Sequence, residues 1–170
     1  VSRGGFKLEA ALDYFDIDVK GKIALDSGIS TGGFTDCLLQ RGVKKVYGVD
    51  VGVGQVHEKI REDSRVVIYE KTNLRYLESL PEKVNFVTLD LSFISVLKVL
   101  PALLNLVEDF VEVIVLIKPQ FEAERKFVKR GGIVRDKKIH QVVIDKIKNE
   151  FERVGFKCIG VIESPILGNE

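Results

Sequence analysis

The 170-residue sequence has no methionine and opens Val-Ser-Arg, so it does not begin at a translational start and reads as a piece trimmed from a longer protein. Cysteine is scarce. Cys37 and Cys158 are too few for a disulfide framework and lack the spacing of a zinc site. Both lie in apolar periodic stretches, where burial as small hydrophobes is expected. Long apolar runs are missing too: charges interrupt every strong run before it nears the about 18–20 residues of a membrane span. No secretory signal opens the chain, and the expected compartment is the cytoplasm. Net charge nearly vanishes, with 26 Lys and Arg against 25 Asp and Glu, so the overall balance neither requires nor excludes a nucleic-acid partner. Its distribution has to decide. Repeats, low-complexity tracts and Pro/Ser-rich linkers are lacking, which leaves residues 1–170 as one domain.

What is present is the material of a core. Hydrophobic residues make up 45% and charged residues 30%, a balance that fits a soluble globular domain and is too apolar for disorder. Short β-type runs at 22–26, 45–50, 65–69, 86–90, 112–117 and 158–162 alternate with helical spacing at 32–41, 55–62, 74–79, 94–108 and 138–154. Near-continuous apolar strands separated by helices predict an α/β fold, a mostly parallel sheet covered on both faces. Ligands of such sheets bind beyond the carboxyl ends of the strands. The residues that end each run therefore carry most of the functional information.

The first run ends at Asp26 and continues Ser27-Gly28-Ile29-Ser30-Thr31-Gly32-Gly33-Phe34 into a helix. A glycine turn admits a ligand close to the backbone. The dinucleotide fingerprint G-x-G-x-x-G is not met, because Ser30 stands at its second glycine. The pattern D-x-G-x-S-x-G instead resembles the first motif of S-adenosylmethionine-dependent methyltransferases, whose cofactor carries no phosphate. Asp50 ends the second run, eighteen residues after Gly32, where a carboxylate can accept from two ribose hydroxyls. Asn73 follows the third run and could meet an adenine edge. Alternative roles are a turn residue for Asp50 and an N-cap for Asn73. Asp90 closes the fourth run and Lys118 the fifth. Partial desolvation of a lysine at a strand mouth favours its neutral, proton-accepting form, and the alternative is an ordinary strand-end charge that snorkels to solvent.

Ser2-Arg-Gly-Gly-Phe-Lys7-Leu8, Asp26-Ser-Gly-Ile-Ser-Thr-Gly-Gly-Phe-Thr35, Asp90-Leu-Ser-Phe-Ile-Ser95 and Lys118-Pro-Gln-Phe-Glu122 together resemble the TlyA family, across the whole chain. This family comprises bacterial FtsJ-like ribosomal RNA 2′-O-methyltransferases long known as haemolysins. The resemblance implies a Rossmann-like class I methyltransferase fold, S-adenosylmethionine as cofactor, and ribosomal RNA of one or both subunits as substrate, with cytidine as the target. It places the Lys-Asp-Lys-Glu catalytic tetrad on Lys7, Asp90, Lys118 and Glu170. Lys118 is then the base or hydroxyl-orienting group, Lys7 a second cation that holds the ribose, and Asp90 and Glu170 the acceptors that orient both ammonium groups. Asp26, Ser27, Gly28, Ser30, Thr31, Gly32, Gly33, Phe34, Asp50, Asn73 and Asp90 form the implied cofactor site. Family members carry an S4-type RNA-binding domain ahead of this segment and a further strand beyond Glu170, and both are expected to be missing here.

No metal is expected, since methyl transfer from a sulfonium needs alignment more than a Lewis acid. His57 and His140 have no ligand spacing and read as surface or helix residues. Charge distribution points to RNA. Arg125, Lys126, Lys129, Arg130, Arg135, Lys137 and Lys138 face only Asp136 in the stretch 125–138, a net +6 in a chain of total +1. With Gly131-Gly132 inside it, the stretch reads as a mobile loop that could contact phosphates beside Lys118, and the alternative is an ordinary solvated charge run. Arg3 is a further phosphate candidate. Competing readings are a non-catalytic module that holds RNA and cofactor, a membrane-lysing protein, for which no basic amphipathic helix stands out, and a nicotinamide-dependent dehydrogenase, against which Ser30 argues.

Overall fold

The computed structural model describes residues 3–129 and 131–164. Its centre is a five-stranded, wholly parallel sheet in the order β3-β2-β1-β4-β5. The strands are β1 (Ile23–Ser27), β2 (Lys45–Val49), β3 (Val66–Tyr69), β4 (Val84–Leu89) and β5 (Val107–Val115). Alternate side chains enter opposite cores. Ala24, Val46 and Phe86 face α1 (Arg3–Tyr14), α2 (Gly33–Gln40) and α3 (Glu58–Glu62), whereas Leu25, Val87 and Leu89 face α4 (Leu100–Leu104) and α6 (Lys137–Arg153). With both faces covered, Phe86, Leu25 and Leu89 are wholly buried, each stabilising the fold by roughly 1.5–3 kcal/mol. This is the Rossmann-like class I arrangement, and strand order reverses between β1 and β4. The crevice belongs at that reversal.

Several elements differ from the sequence pattern. α1 was not foreseen, although Leu8, Ala11 and Leu12 carry the i, i+3, i+4 spacing and are buried against α2. The helical stretch expected at 94–108 is a 3-10 turn, Val96–Lys98, followed by the short α4, because β5 starts at Val107 to pair with Val84. Likewise α3 fills only the end of 55–62, and 74–79 holds only a 3-10 turn, Leu74–Tyr76. The run 158–162 is not a strand: it pairs with none of the described residues, and Ile159 and Val161 are exposed. Its β-type composition needs a neighbouring strand to become a ladder. Cys158 is correspondingly half-buried, not a core residue, while Cys37 is buried as expected. α5 (Pro119–Glu122) is a single turn directly after β5.

Candidate active site

The carboxyl ends of β1 and β4 touch. Asp90 N–H donates to the Ser27 carbonyl at 3.0 Å, and Gly28 N–H donates across to Val49 of β2 at 2.8 Å. A cavity of about 290 Å³ opens above them, lined by Gly4, Gly28, Ile29, Ser30, Thr31, Gly33, Phe34 and Asp90. Six of the expected cofactor residues thus share one wall. Gly28 has φ +84°, and Ser30, at φ +54°, takes the same left-handed conformation without being glycine. Asp50 holds it there: its Oδ2 accepts from Ser30 N–H at 2.7 Å, and its Oδ1 accepts from Gly52 N–H at 2.9 Å. Asp50 is only half-buried, and two carboxylate oxygens have capacity for further donors. Its turn role and a ligand role are compatible. Thr72 N–H donates to the Asp50 carbonyl, which brings the β3 loop alongside. In that loop Asn73 Oδ1 caps the 3-10 turn by accepting from Arg75 N–H at 3.0 Å, the N-cap role, and Asn73 does not line the cavity.

Asp26, Ser27 and Gly32 stand behind this wall. Asp26 is wholly buried, and its carboxylate accepts from Thr35 Oγ1 at 2.7 Å and Thr88 Oγ1 at 3.0 Å. It ties α2 and β4 to the turn and does not line the cavity. Ser27 is buried, and Gly32 packs on Ile60. Burial pushes the Asp26 carboxyl up to about 6, outweighing the two hydroxyl hydrogen bonds, with the Asp90 and Asp50 charges adding to the rise. A raised folded-state value means that protonated Asp26 favours folding. The benefit is full below about pH 4 and disappears as pH rises through about 6, a swing on the order of 3 kcal/mol. Asp26→Asn should abolish that swing while keeping one carbonyl acceptor and one amide donor for the threonines. Urea melts of both proteins from pH 4 to 8 check it: parallel stability curves would count against a buried, titrating Asp26.

Two of the residues expected to be catalytic lie just beyond β4 and β5. Lys118 Nζ is 2.7 Å from Asp90 Oδ1 and donates to Ser92 Oγ at 3.0 Å. The Lys118 and Asp90 side chains are 22% and 26% exposed, shielded enough to be more than a screened surface pair. Lys7 lies three residues beyond the cavity-lining Gly4 on the same face of α1 and is half-buried. Glu170 lies outside the described residues. Sequence reasoning assigned no role to Ser92, to Glu122, or to Phe93, which is 90% exposed at φ +66° and packs against Phe121 with ring centres 5.1 Å apart and planes tilted by 52°. An exposed, strained aromatic beside an ion pair is visible only in three dimensions. The motif letters Ser-Phe and Phe-Glu were the available signal.

Among the described residues the cationic stretch is irregular between two ordered ends. Arg125–Phe127 forms a 3-10 turn, Lys129 bridges to Ile133 in a tight reversal, and Asp136 caps α6 by accepting from Lys138 N–H at 2.8 Å. Lys137 and Lys138 open α6, where the helix dipole disfavours cations, so helix stability does not account for their placement. Lys126 lies 3.4 Å from Glu124 and over the Phe127 ring. Arg125, Lys129 and Arg135 are exposed; Arg130 and the Arg3 side chain lie outside the described residues. Of the histidines, His57 caps α3, and His140 Nε2 bonds the Val134 carbonyl.

The model of FtsJ-like methyltransferases matches residues 1–170. The chain belongs to the FtsJ-like methyltransferase family. It is 47% identical over 176 residues to YqxC of Bacillus subtilis, named as a candidate rRNA methyltransferase, covering all of this chain and 62% of that protein. It is 42% identical to the 16S/23S rRNA (cytidine-2′-O)-methyltransferase TlyA of Mycobacterium tuberculosis, covering 99% of this chain and 63% of that one. A solved chain from Streptococcus thermophilus, described as a candidate hemolysin, superposes with a TM-score of 0.95 at 45% identity, over 99% of this chain and 62% of its own. The chain therefore spans less than two thirds of the length of these relatives. Solved S-adenosylmethionine-dependent methyltransferases at 16% and 22% identity share the fold, with TM-scores of 0.58 and 0.56. Within this FtsJ-like fold, the glycine-turn cavity and the Lys118–Asp90 pair occupy the same strand ends.

Proposed function

We propose that residues 1–170 form the catalytic domain of an S-adenosylmethionine-dependent ribosomal RNA methyltransferase acting on a ribose 2′-hydroxyl, with cytidine, named for the relative from Mycobacterium tuberculosis, as its target. One observation carries this reading: Asp90 lines the glycine-turn cavity and also holds Lys118, so a cofactor wall and a proton-handling pair meet at one atom group. The residues fit the cofactor. The cavity is near the lower end of small-molecule sites, about 300–1,000 Å³, its glycines carry no side chain to obstruct close approach to the backbone, and Asp50 has acceptor capacity for ribose hydroxyls. When bound, S-adenosylmethionine supplies an electrophilic sulfonium methyl group.

The protein's own groups do the rest. Gly28, Ser30, Thr31, Gly33 and Phe34 shape the cofactor wall, Asp50 and Asn73 fix the adenosine end, and Asp26, Ser27 and Gly32 hold the turn from behind. A ribose hydroxyl is a poor nucleophile until its proton is removed or polarised. Lys118 takes or orients that proton, Asp90 and Ser92 hold the Lys118 amine, and Lys7 anchors the ribose; Glu170 is assigned the second acceptor. Phe93 offers a face on which an unstacked base can rest. Arg3, Arg125, Lys126, Lys129, Arg130, Arg135, Lys137 and Lys138 serve as phosphate contacts, and the site of action is the cytoplasm, where ribosomes are.

The test is transfer of tritium from labelled S-adenosylmethionine into ribosomal subunits by the full-length protein, with 2′-O-methyl mapping of rRNA from cells with and without it. At least one cytidine mark should depend on the protein. Cofactor binding without any protein-dependent mark would favour the non-catalytic module. Among the described residues no helix is long and apolar enough to cross a membrane.

A further inference from the structure

Two segments carry the reactive groups, the loop 90–96 after β4 and the turn 118–122 after β5. They meet at three points in parallel order. Lys118 reaches Asp90 and Ser92, the Phe121 ring packs against Phe93 in a tilted arrangement, and Glu122 reaches Ser95 and Val96. The first two points are less enclosed: the Lys118 and Asp90 side chains are 22% and 26% exposed and Phe93 is 90% exposed. Only the third is closed. Glu122 is 6% exposed, its Oε2 accepts from Ser95 Oγ at 2.6 Å, and its Oε1 accepts from Val96 N–H at 2.8 Å. Ser95 Oγ in turn accepts from Leu97 N–H at 3.1 Å, so the carboxyl also orders the start of the next 3-10 turn.

We propose that Glu122 is a positioning residue that locks the loop 90–96 to the turn 118–122 and thereby sets Ser92, Phe93 and Asp90 against Lys118. The physical case is asymmetry of burial. Exposed contacts are weak and exchange with water, whereas a buried carboxyl that meets two donors is expensive to disturb, because each donor would be left without a partner. Phe93 supplies the reason a lock is needed. A bulky residue at φ +66° stays there only where its surroundings hold it, and here the fixed point two residues on is Ser95. Lys118 and Glu122 are one helical turn apart, so a shift at one end of that turn carries to the other.

This inference rests on the proposed methyl transfer for its catalytic consequence, though not for its structural content. Glu122→Gln keeps volume but exchanges one acceptor for a donor, and Glu122→Ala removes both acceptors. In the full-length protein, both variants should bind S-adenosylmethionine with at most a small loss of affinity, since Glu122 does not line the cavity and acts on it only through Asp90. Their kcat should fall by about 10- to 100-fold, the scale of a small misplacement of reacting groups, with Gln the milder. Amide exchange should accelerate over residues 91–97 and stay unchanged in β1 and β4. Ser95→Ala should reproduce part of both effects without touching the 118–122 turn. Unchanged exchange at 91–97, exchange that accelerates throughout the sheet, or local acceleration with wild-type kcat would each overturn the proposal. An inactive wild-type protein would count against methyl transfer alone, and the exchange pattern would still decide whether Glu122 holds the loop.

Discussion

Gly28→Ala is expected to lower stability by at least about 3 kcal/mol and to disrupt the cofactor site with it. A Cβ at position 28 would lie 1.9 Å from the Asp90 carbonyl oxygen and 2.8 Å from its carbon. That neighbour is backbone and cannot rotate away. Relief requires the ends of β1 and β4 to part, breaking the Asp90 N–H bond to Ser27 at 3.0 Å and moving the Asp90 side chain from Lys118. The left-handed φ of +84° adds about 1–2 kcal/mol for any residue with a Cβ. Gly54→Ala separates the two effects, because Gly54 has φ +71° but nothing within 4 Å of its built Cβ. It should lose only the conformational part. Urea midpoints and cofactor titrations of both variants read the difference. If Gly28→Ala melts within about 1 kcal/mol of Gly54→Ala, the close approach of the two strands is not what requires glycine.

The same junction shows what could and could not be read from the letters. Strand-end aspartates at 26, 50 and 90 were equivalent in the sequence, each closing an apolar run before a turn. The structure separates them by environment: Asp26 is buried between two threonines, Asp50 braces Ser30, and Asp90 faces both cavity and Lys118. Position along a strand is a local property, whereas burial depends on which helix crosses above, and α2 brings Thr35 over Asp26. β1 to β4 were legible because parallel strands buried on both faces are uninterrupted apolar runs, whereas β5 ends at Val115 and Lys118, expected to close it, is the N-cap of α5. The run 158–162 had the same letters but no ladder beside it among the described residues. Glu122 and Phe93 were illegible for the opposite reason. An acidic residue in a short motif gives no sign of being buried, and a phenylalanine gives no sign of a left-handed backbone; both follow from the meeting of two segments more than twenty residues apart.

Lys118→Ala in the full-length protein is expected to reduce kcat for methyl transfer by roughly 10²- to 10⁴-fold, the range of a lost general acid–base group. Cofactor affinity should stay within about threefold, because Lys118 is not part of the cavity lining, whereas Asp90 is. The fold should tolerate the change. Removing Lys118 leaves Asp90 Oδ1, an atom shielded from solvent, without its partner, a loss of about 1–3 kcal/mol that a folded domain can absorb. Those three expectations together separate chemistry from structure. Lys118→Arg sharpens the point, since it preserves positive charge beside Asp90 but replaces a compact amine with a planar fork that does not readily give up a proton. If Lys118 acts only as a countercharge for Asp90, arginine should restore most of the rate. If it takes or orients the hydroxyl proton, the arginine variant should stay nearly as slow as alanine. Single-turnover transfer measurements at saturating cofactor distinguish these outcomes, and an alanine variant within about threefold of wild-type kcat would remove Lys118 from the reaction.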